Sequence, residues 1–134
     1  MTAETDLGRL LATLSPELTP QEYVFVTFAD AYYGDHGVLQ PLASMQEDEG
    51  LSLIVPRTKA DAHQVTYEDV FRCITLKVHS SLAAVGLTAA FARVLTAQGI
   101  SANVVAGFHH DHIFVPPNQA DEAMQALLAL SQQA

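Results

Sequence analysis

The sequence predicts an α+β fold because its hydrophobic pattern changes between the period of a strand and the period of a helix. Apolar residues alternate with polar ones over 72–79, recur at helical spacing over 85–98, and return to strand-like patterns over 100–108 and 112–115. This order is that of a β-α-β-β unit. A last helix follows, so the second half of the chain has the order β-α-β-β-α.

The two helices of the second half are defined by their ends and by their apolar faces. Gly99 is expected to end the first helix in a left-handed backbone conformation, and Asn118 is the expected N-cap of the second. The predicted buried face of the first helix consists of Leu87, Phe91, Val94 and Leu95. The predicted inward residues of the second helix are Met124, Leu127 and Leu128.

The first half combines strands with short helices. Leucines at helical spacing predict a helix over 5–14, which a serine–proline pair ends, and the β-branched and aromatic residues of 22–29 predict a strand. Residues 42–46 and 51–55 predict a hairpin around an acidic turn. The pattern of residues 58–61, with Thr at the N-cap and Asp three positions later, indicates a capping box at the start of a short helix.

The second half ends without the strand that would close its sheet. A bare sheet edge presents unpaired backbone groups, so something is expected to cover or pair with it. The first half offers the strand 22–29 or the hairpin 42–55, and a second subunit is the other source. We therefore expect two interlocked halves, and a fragment of the second half alone is not expected to fold.

Length and composition limit the class of protein. A chain of 134 residues with 49% hydrophobic content fits one compact unit or two small, closely packed subdomains. It has no apolar run of membrane-spanning length, and its first residues lack the basic start of a signal peptide, so we expect a soluble cytoplasmic protein. The single cysteine, Cys73, lies within an apolar strand and is expected to be a buried, inert thiol without redox function.

The charge of the chain is concentrated in its first half. Residues 1–70 contain three Lys or Arg against twelve Asp or Glu, whereas residues 71–134 contain three against three, which accounts for the net charge of -9. An acidic chain without a basic stripe has no attraction for a phosphate backbone, so nucleic acid is not an expected partner.

Three runs of the second half resemble the ACT-domain family. They are VHSSLAAVGLT at 78–88, GISANVVAG at 99–107 and HDHIFV at 110–115, which are similar to small bacterial tandem ACT-like proteins. These are relatives of the ligand-sensing modules of aspartate kinases and of cytosolic arginine sensors. Residues 39–56 are similar to the first ACT-like half of the same small proteins, so the resemblance extends over nearly the whole chain.

The resemblance implies a ferredoxin-like βαββαβ fold in two interlocked ACT-like halves. The implied boundaries are 1–67 for the N-terminal half and 68–134 for the C-terminal ACT domain. Such modules bind an amino acid or another small ligand at an interface between two modules, so a homodimer is also expected.

Polar residues gather where the strand 72–79 ends and the next helix begins. Ser80 and Ser81 are either N-caps of that helix or, together with the free amides of its first turn, a binding site for a ligand carboxylate, and the two roles are compatible. Gly86 either serves a turn or allows a ligand to approach the backbone closely. His79 is either a hydrogen-bonded strand-end histidine or a ligand contact.

Two residues of the later strands complete the candidate site. Asn103 lies among apolar residues and either bonds the backbone or faces the ligand, because an unpaired buried amide would be costly. Asp111 is the favoured acceptor for a ligand ammonium group. The full set of candidate ligand-binding residues is His79, Ser80, Ser81, Leu82, Val85, Gly86, Leu87, Asn103, Val104 and Asp111.

The run His109-His110-Asp111-His112 raises the question of a metal site. On an extended strand His110 and His112 share one face and their two neighbours share the other, so at most two of these side chains point at one metal. A polar hairpin turn is the favoured interpretation, and no metal or cofactor is expected. Ser80 beside His79 is not a catalytic triad by adjacency alone.

These observations favour a non-catalytic, stand-alone sensor of a small ligand, and the family resemblance implies that the ligand is an amino acid. The first alternative is a structural module that dimerises through sheet edges and binds no ligand. The second alternative is a metal-dependent enzyme that uses the His and Asp residues of the 109–112 run.

Overall fold

The computed structural model describes residues 6–78 and 85–132. Its helices are α1 Leu7–Thr13, α2 Arg57–Ala62, α3 Leu87–Ala97 and α4 Ala120–Gln132. Its strands are β1 Ser15–Phe28, β2 Ala43–Glu47, β3 Gly50–Pro56, β4 Val70–Lys77, β5 Asn103–Ala106 and β6 Asp111–Val115. Within these ranges, no helix is long and apolar enough to cross a membrane.

The chain forms two compact units that are not consecutive in sequence. The N-terminal unit comprises Pro20–Phe71, and the C-terminal unit combines the described residues up to Thr19 with those from Arg72 onward. These units differ from the consecutive halves 1–67 and 68–134 because α1 and the first residues of β1 belong with the C-terminal unit. Strand β1 therefore contributes residues to both units.

The sheet of the C-terminal unit has the strand order β1–β4–β6–β5. Strand β6 pairs in antiparallel register with both β4 and β5. In a βαββαβ unit the closing strand lies beside the first strand, and here β1 takes that place beside β4. The predicted α+β, ferredoxin-like fold class is confirmed.

Three contacts hold the start of β1 against β4. The Nζ of Lys77 lies 2.7 Å from a carboxylate oxygen of Glu17. The Thr19 hydroxyl donates to the Cys73 carbonyl at 3.0 Å, and the Arg72 guanidinium donates to the Thr19 carbonyl at 2.8 Å. The first half therefore supplies the missing strand, as expected. It is the strand predicted at 22–29, but β1 begins earlier, at Ser15, and its first residues make these contacts with β4. The hairpin 42–55 is wrong as the source.

The core of the C-terminal unit lies between one face of this sheet and helices α1, α3 and α4. Side chains of β4 alternate, so that one set faces the helices and is buried. The predicted α3 face is confirmed, with Val94 partly buried beside three fully enclosed residues. The buried residues of this core include Leu10, Leu14, Ile74, Leu76, Val78, Leu87, Phe91, Leu95, Ile113, Val115 and Leu127.

The structure tests three predictions about α3 and α4: the end of α3, the start of α4 and the buried face of α4. Gly99 has a φ of +72°, so the expected left-handed position after α3 is confirmed. Asn118 lies inside the 3-10 turn Pro117–Gln119 and is not the N-cap of α4. Leu128 is 44% exposed, so its predicted inward position is wrong, whereas Leu127 is fully buried.

The N-terminal unit contains the strand order β2–β3–β1. The predicted hairpin is confirmed, with Glu47 opposite Gly50 across a two-residue loop. Strand β3 also pairs with the second part of β1, from Tyr23 to Phe28. The core of this unit consists of Val24, Val26, Ala31, Leu39, Leu51, Leu53, Val55 and Ala60.

A short helix follows Arg57 as predicted, but the capping box does not form. Helix α2 already begins at Arg57, and no side chain caps it. Asp61 instead accepts a hydrogen bond from the Tyr67 hydroxyl at 2.7 Å. The Arg57 guanidinium donates to that hydroxyl and to Glu22, which raises the pKa of Arg57 and ties α2 to β1.

Cys73 is buried, as the sequence predicted. It lies on the sheet face that points away from the helices, opposite Phe114 in the register, and both side chains are almost fully enclosed. Burial raises the pKa of the Cys73 thiol, which lowers the fraction of reactive thiolate. Its position agrees with the expected inert role.

We expect a fragment of residues 68–134 to be unfolded or aggregated when expressed alone. It retains β4 but lacks the strand Ser15–Thr19 and the buried leucines of α1. Circular dichroism and thermal melting of the fragment, with the full chain as control, provide the test. A soluble fragment with a cooperative unfolding transition would contradict the dependence on β1.

Candidate ligand site at the start of helix α3

The predicted ligand-binding residues fall into three groups in the structure. His79, Ser80, Ser81 and Leu82 lie outside the described residues. Val85, Gly86 and Leu87 form the entry to α3, Asn103 and Val104 lie on β5, and Asp111 is the first residue of β6.

The entry to α3 depends on the conformation of Gly86. This residue is the N-cap, has a φ of +96°, and its carbonyl accepts the amide of Ala90 at 2.9 Å. A Cβ at this position would lie 3.2 Å from Cδ2 of Leu7, so α1 closes over the turn. No pattern in the sequence indicates this contact, because Leu7 is almost eighty positions away and resembles any other core leucine.

The N-cap of α3 decides between the two roles predicted for Ser80 and Ser81. Because Gly86 occupies it, the predicted N-cap role of Ser80 and Ser81 at α3 is wrong. A helix start offers amides that have no partner within the helix and carries a partial positive charge. With glycine at the N-cap, no side chain of that residue competes for these amides. Val85, immediately before it, is 83% exposed, whereas Leu87 is buried in the core.

Asp111 lies at the same end of the sheet as the start of α3. It pairs with Leu76 near the end of β4 and with Ala106 at the end of β5. Directly opposed residues share a face, so the Asp111 side chain lies on the helix face with Leu76. Burial raises the pKa of the Asp111 carboxyl, and the neighbouring imidazoles of His112 and His110 act against that effect.

Asn103 is separated from Asp111 within one chain. It pairs with Phe114, three positions along β6 from Asp111, which corresponds to about 10 Å. It also lies on the face that points away from the helices, and its side chain is exposed. Val104 shares the helix face but packs against the core. The structure thus brings Asp111 to the α3 end and places Asn103 elsewhere.

The histidines around Asp111 form a polar turn. The amide of Gly107 donates to the His110 carbonyl at 2.9 Å, and the His112 ring lies 3.1 Å from the Thr75 hydroxyl on the opposite face from Asp111. Burial lowers the pKa of His112. Among residues 6–78 and 85–132 no group of three or more His, Cys, Asp or Glu side chains could hold a metal ion.

Two family models match the chain in tandem. Both are described as ACT domain, and they cover residues 2–72 and 70–129. The chain belongs to the ACT-domain family. A search of curated proteins finds no match.

Solved structures extend the comparison. A Vibrio cholerae protein of unknown function, described as a possible transport protein, is 47% identical with a TM-score of 0.84, covering 94% of this chain and 96% of its own. An Agrobacterium tumefaciens protein is 15% identical, with a TM-score of 0.68 over 88% and 89% of the two chains. The regulatory subunit of aspartate kinase from Thermus flavus is 10% identical, with a TM-score of 0.59 over 87% and 95%. The last two support the ACT fold alone.

Replacing Gly86 is expected to cost stability, and Gly99 provides a matched control. Both glycines have positive φ, but an added Cβ meets Leu7 only at Gly86 and nothing at Gly99. Each alanine variant should lose about 1–2 kcal/mol from backbone strain. Chemical denaturation should show a larger loss for Gly86→Ala that Leu7→Ala partly relieves. Equal losses without coupling would contradict the Leu7 contact.

Asp111→Asn is expected to stabilise the protein at neutral pH. Because burial raises the folded-state pKa of Asp111, its stabilising contribution is present below the ordinary value of 3.8 and is lost as the pH rises through the raised value. The thermal midpoint of the variant should therefore exceed that of the parent at pH 7. The difference between the two midpoints should shrink as the pH falls toward the ordinary value of 3.8. Asp48→Asn, in the exposed β2–β3 turn, is the control. A variant less stable than the parent at pH 7 would overturn the assignment.

Proposed function

We propose that the protein is a stand-alone, non-catalytic regulatory protein of the ACT type that binds an amino acid. Membership in the family supports a regulatory ligand-binding role. The observation that carries the choice of ligand is the position of Asp111, a half-buried carboxylate at the same end of the sheet as the start of α3. An α-amino acid presents one group of each charge, and this end of the unit offers a complement to both.

The ligand carboxylate binds at the entry to α3. The amides of the first helical turn and the helix dipole favour an anion there, and the hydroxyls of Ser80 and Ser81 add donors. Asp111 accepts from the ligand ammonium group in a charge-assisted hydrogen bond. The exposed side chain of Val85 contacts the ligand side chain, and we propose His79 and Leu82, which are close to Val85 in sequence, as further contacts.

Asn103 and Val104 act from a second copy in a homodimer. Strand β5 is the outer strand of the C-terminal sheet, and its backbone edge is suited to pairing with another chain. Within one chain the register separates Asn103 from Asp111, whereas a partner's strand can present its own Asn103 to the site. The contact is then the same on both subunits.

The protein acts in the cytoplasm without a cofactor, nucleic acid or membrane partner. The acidic surface carries no basic stripe for a phosphate backbone. Along the sequence, we propose that the two ACT-like halves are residues 1–67 and 68–134.

The exposed Phe25 and Met45 on the N-terminal unit favour the second candidate, a structural dimerisation module without a ligand.

A thermal-shift screen against the twenty amino acids tests the proposal. At a hundred times its dissociation constant, a ligand adds about 2.7 kcal/mol of stability, so one or a few amino acids should raise the thermal midpoint clearly. Asp111→Asn should weaken the binding of that amino acid at least about tenfold, or about 1.4 kcal/mol. Asp48→Asn should leave the binding affinity unchanged.

Sedimentation of the full chain at micromolar concentration separates the two candidates. A dimer that one amino acid stabilises supports the sensor. A dimer that none of the twenty stabilises would contradict it and support the structural module. A monomer would contradict the placement of Asn103 in the site.

A further inference from the structure

The N-terminal unit contains a cavity where its fold would normally place a helix. In a βαββαβ unit a helix follows the first strand, but between β1 and β2 the chain forms only the 3-10 turn Gly37–Leu39. A cavity of about 550 Å³ lies between this loop, the end of β1 and the segment 63–66 after α2. This volume is within the usual range for small-molecule sites, and the cavity is an open cleft on the surface of the unit.

The cavity has an apolar floor and a flat aromatic surface. Phe28, Leu39 and Val65 line it and belong to or pack against the core of the unit. The rings of Phe28 and His36 stack with centroids 3.7 Å apart and an interplanar angle of 16°. Because His36 is exposed, this pair offers a planar surface to a bound ring or branched alkyl group.

The polar lining offers no charged side chain to a cation or to a phosphate. His36, His63, Gln64 and the threonines at 27 and 66 provide imidazole, amide and hydroxyl groups. None of the residues that line the cavity is Asp, Glu, Lys or Arg. A bound cation would lack a carboxylate partner, and a phosphate would lack the bidentate or point-charge donors that usually hold it. A single carboxylate needs only two or three such neutral donors.

The backbone around the cavity is held in an unusual conformation. His36 has a φ of +62° and Gln64 a φ of +57°, both in the left-handed region that residues other than glycine rarely adopt. Both residues line the cavity and carry polar side chains. Strained residues that persist in this way cluster at ligand-binding positions.

We propose that this cavity binds a small organic monocarboxylate that carries an apolar group. The apolar group packs on the Phe28–His36 pair and the floor, and the carboxylate accepts from His63 and Gln64. This site is separate from the one at α3 and does not rest on the function proposed for it. Phenylacetate has the required carboxylate and ring, and benzylamine has a similar shape with a positive charge.

An NMR titration of the full chain with phenylacetate tests the proposal. Saturable shifts should be confined to residues 27–28, 36–39 and 63–66, with a dissociation constant of about 1 mM or lower, and benzylamine should give none. Two variants should each weaken the binding of phenylacetate at least about tenfold. Val38→Trp fills the cavity from its exposed rim, and His36→Asn removes the imidazole while asparagine tolerates the positive φ. His109→Gln, in the C-terminal unit, is the control and should bind like the parent.

The proposal is overturned if no saturable shifts occur up to about 10 mM phenylacetate, if benzylamine gives equal shifts, or if the shifts persist unchanged in Val38→Trp. Because the tryptophan and asparagine variants act on different parts of the cavity, a folded spectrum from either one is sufficient for the comparison. Shifts confined to residues 85–87 would also overturn it, since they place the carboxylate at α3.

Discussion

The pairing of Ser15–Thr19 with β4 is the contact on which the C-terminal unit depends. Without it, the sheet formed by β4, β6 and β5 has an open side beside β4, and α1 has no strand to hold it over α3 and α4. The Lys77–Glu17 ion pair is exposed and contributes little by itself. The stability of the arrangement comes mainly from the apolar surface that Leu10, Leu14 and Leu18 bury with the helices.

The same N-terminal segment also reaches the candidate ligand site. Because α1 precedes β1 directly, the position of the strand fixes Leu7 against the Gly86 turn. Leu7 thereby supports the backbone turn that leads into the proposed ligand site. We therefore expect a substitution at Leu7 to affect the turn at Gly86.

The sequence predicted the features that depend on local periodicity and missed those that depend on long-range pairing. Alternation at Ile74, Leu76 and Val78 was sufficient to place the core face of β4. The strand Ser15–Thr19 was missed because Pro16 and Pro20 cannot donate a backbone hydrogen bond and therefore argue against a paired strand. In the structure both prolines come before Tyr23, the first residue of β1 that pairs with β3. For the site, the sequence identified Gly86 and Asp111 as candidates, but only the register shows that Asn103 lies on the other face.

The central claim is that the closing strand of the C-terminal unit comes from the start of the chain. A permuted protein tests it most directly: residues 70–134 followed by a flexible linker and residues 6–20, so that β4 begins the chain and Ser15–Thr19 ends it. The account predicts a soluble protein with a cooperative thermal transition and native-like amide dispersion, because every strand and helix of the unit is present. A permuted protein without cooperative unfolding would contradict it.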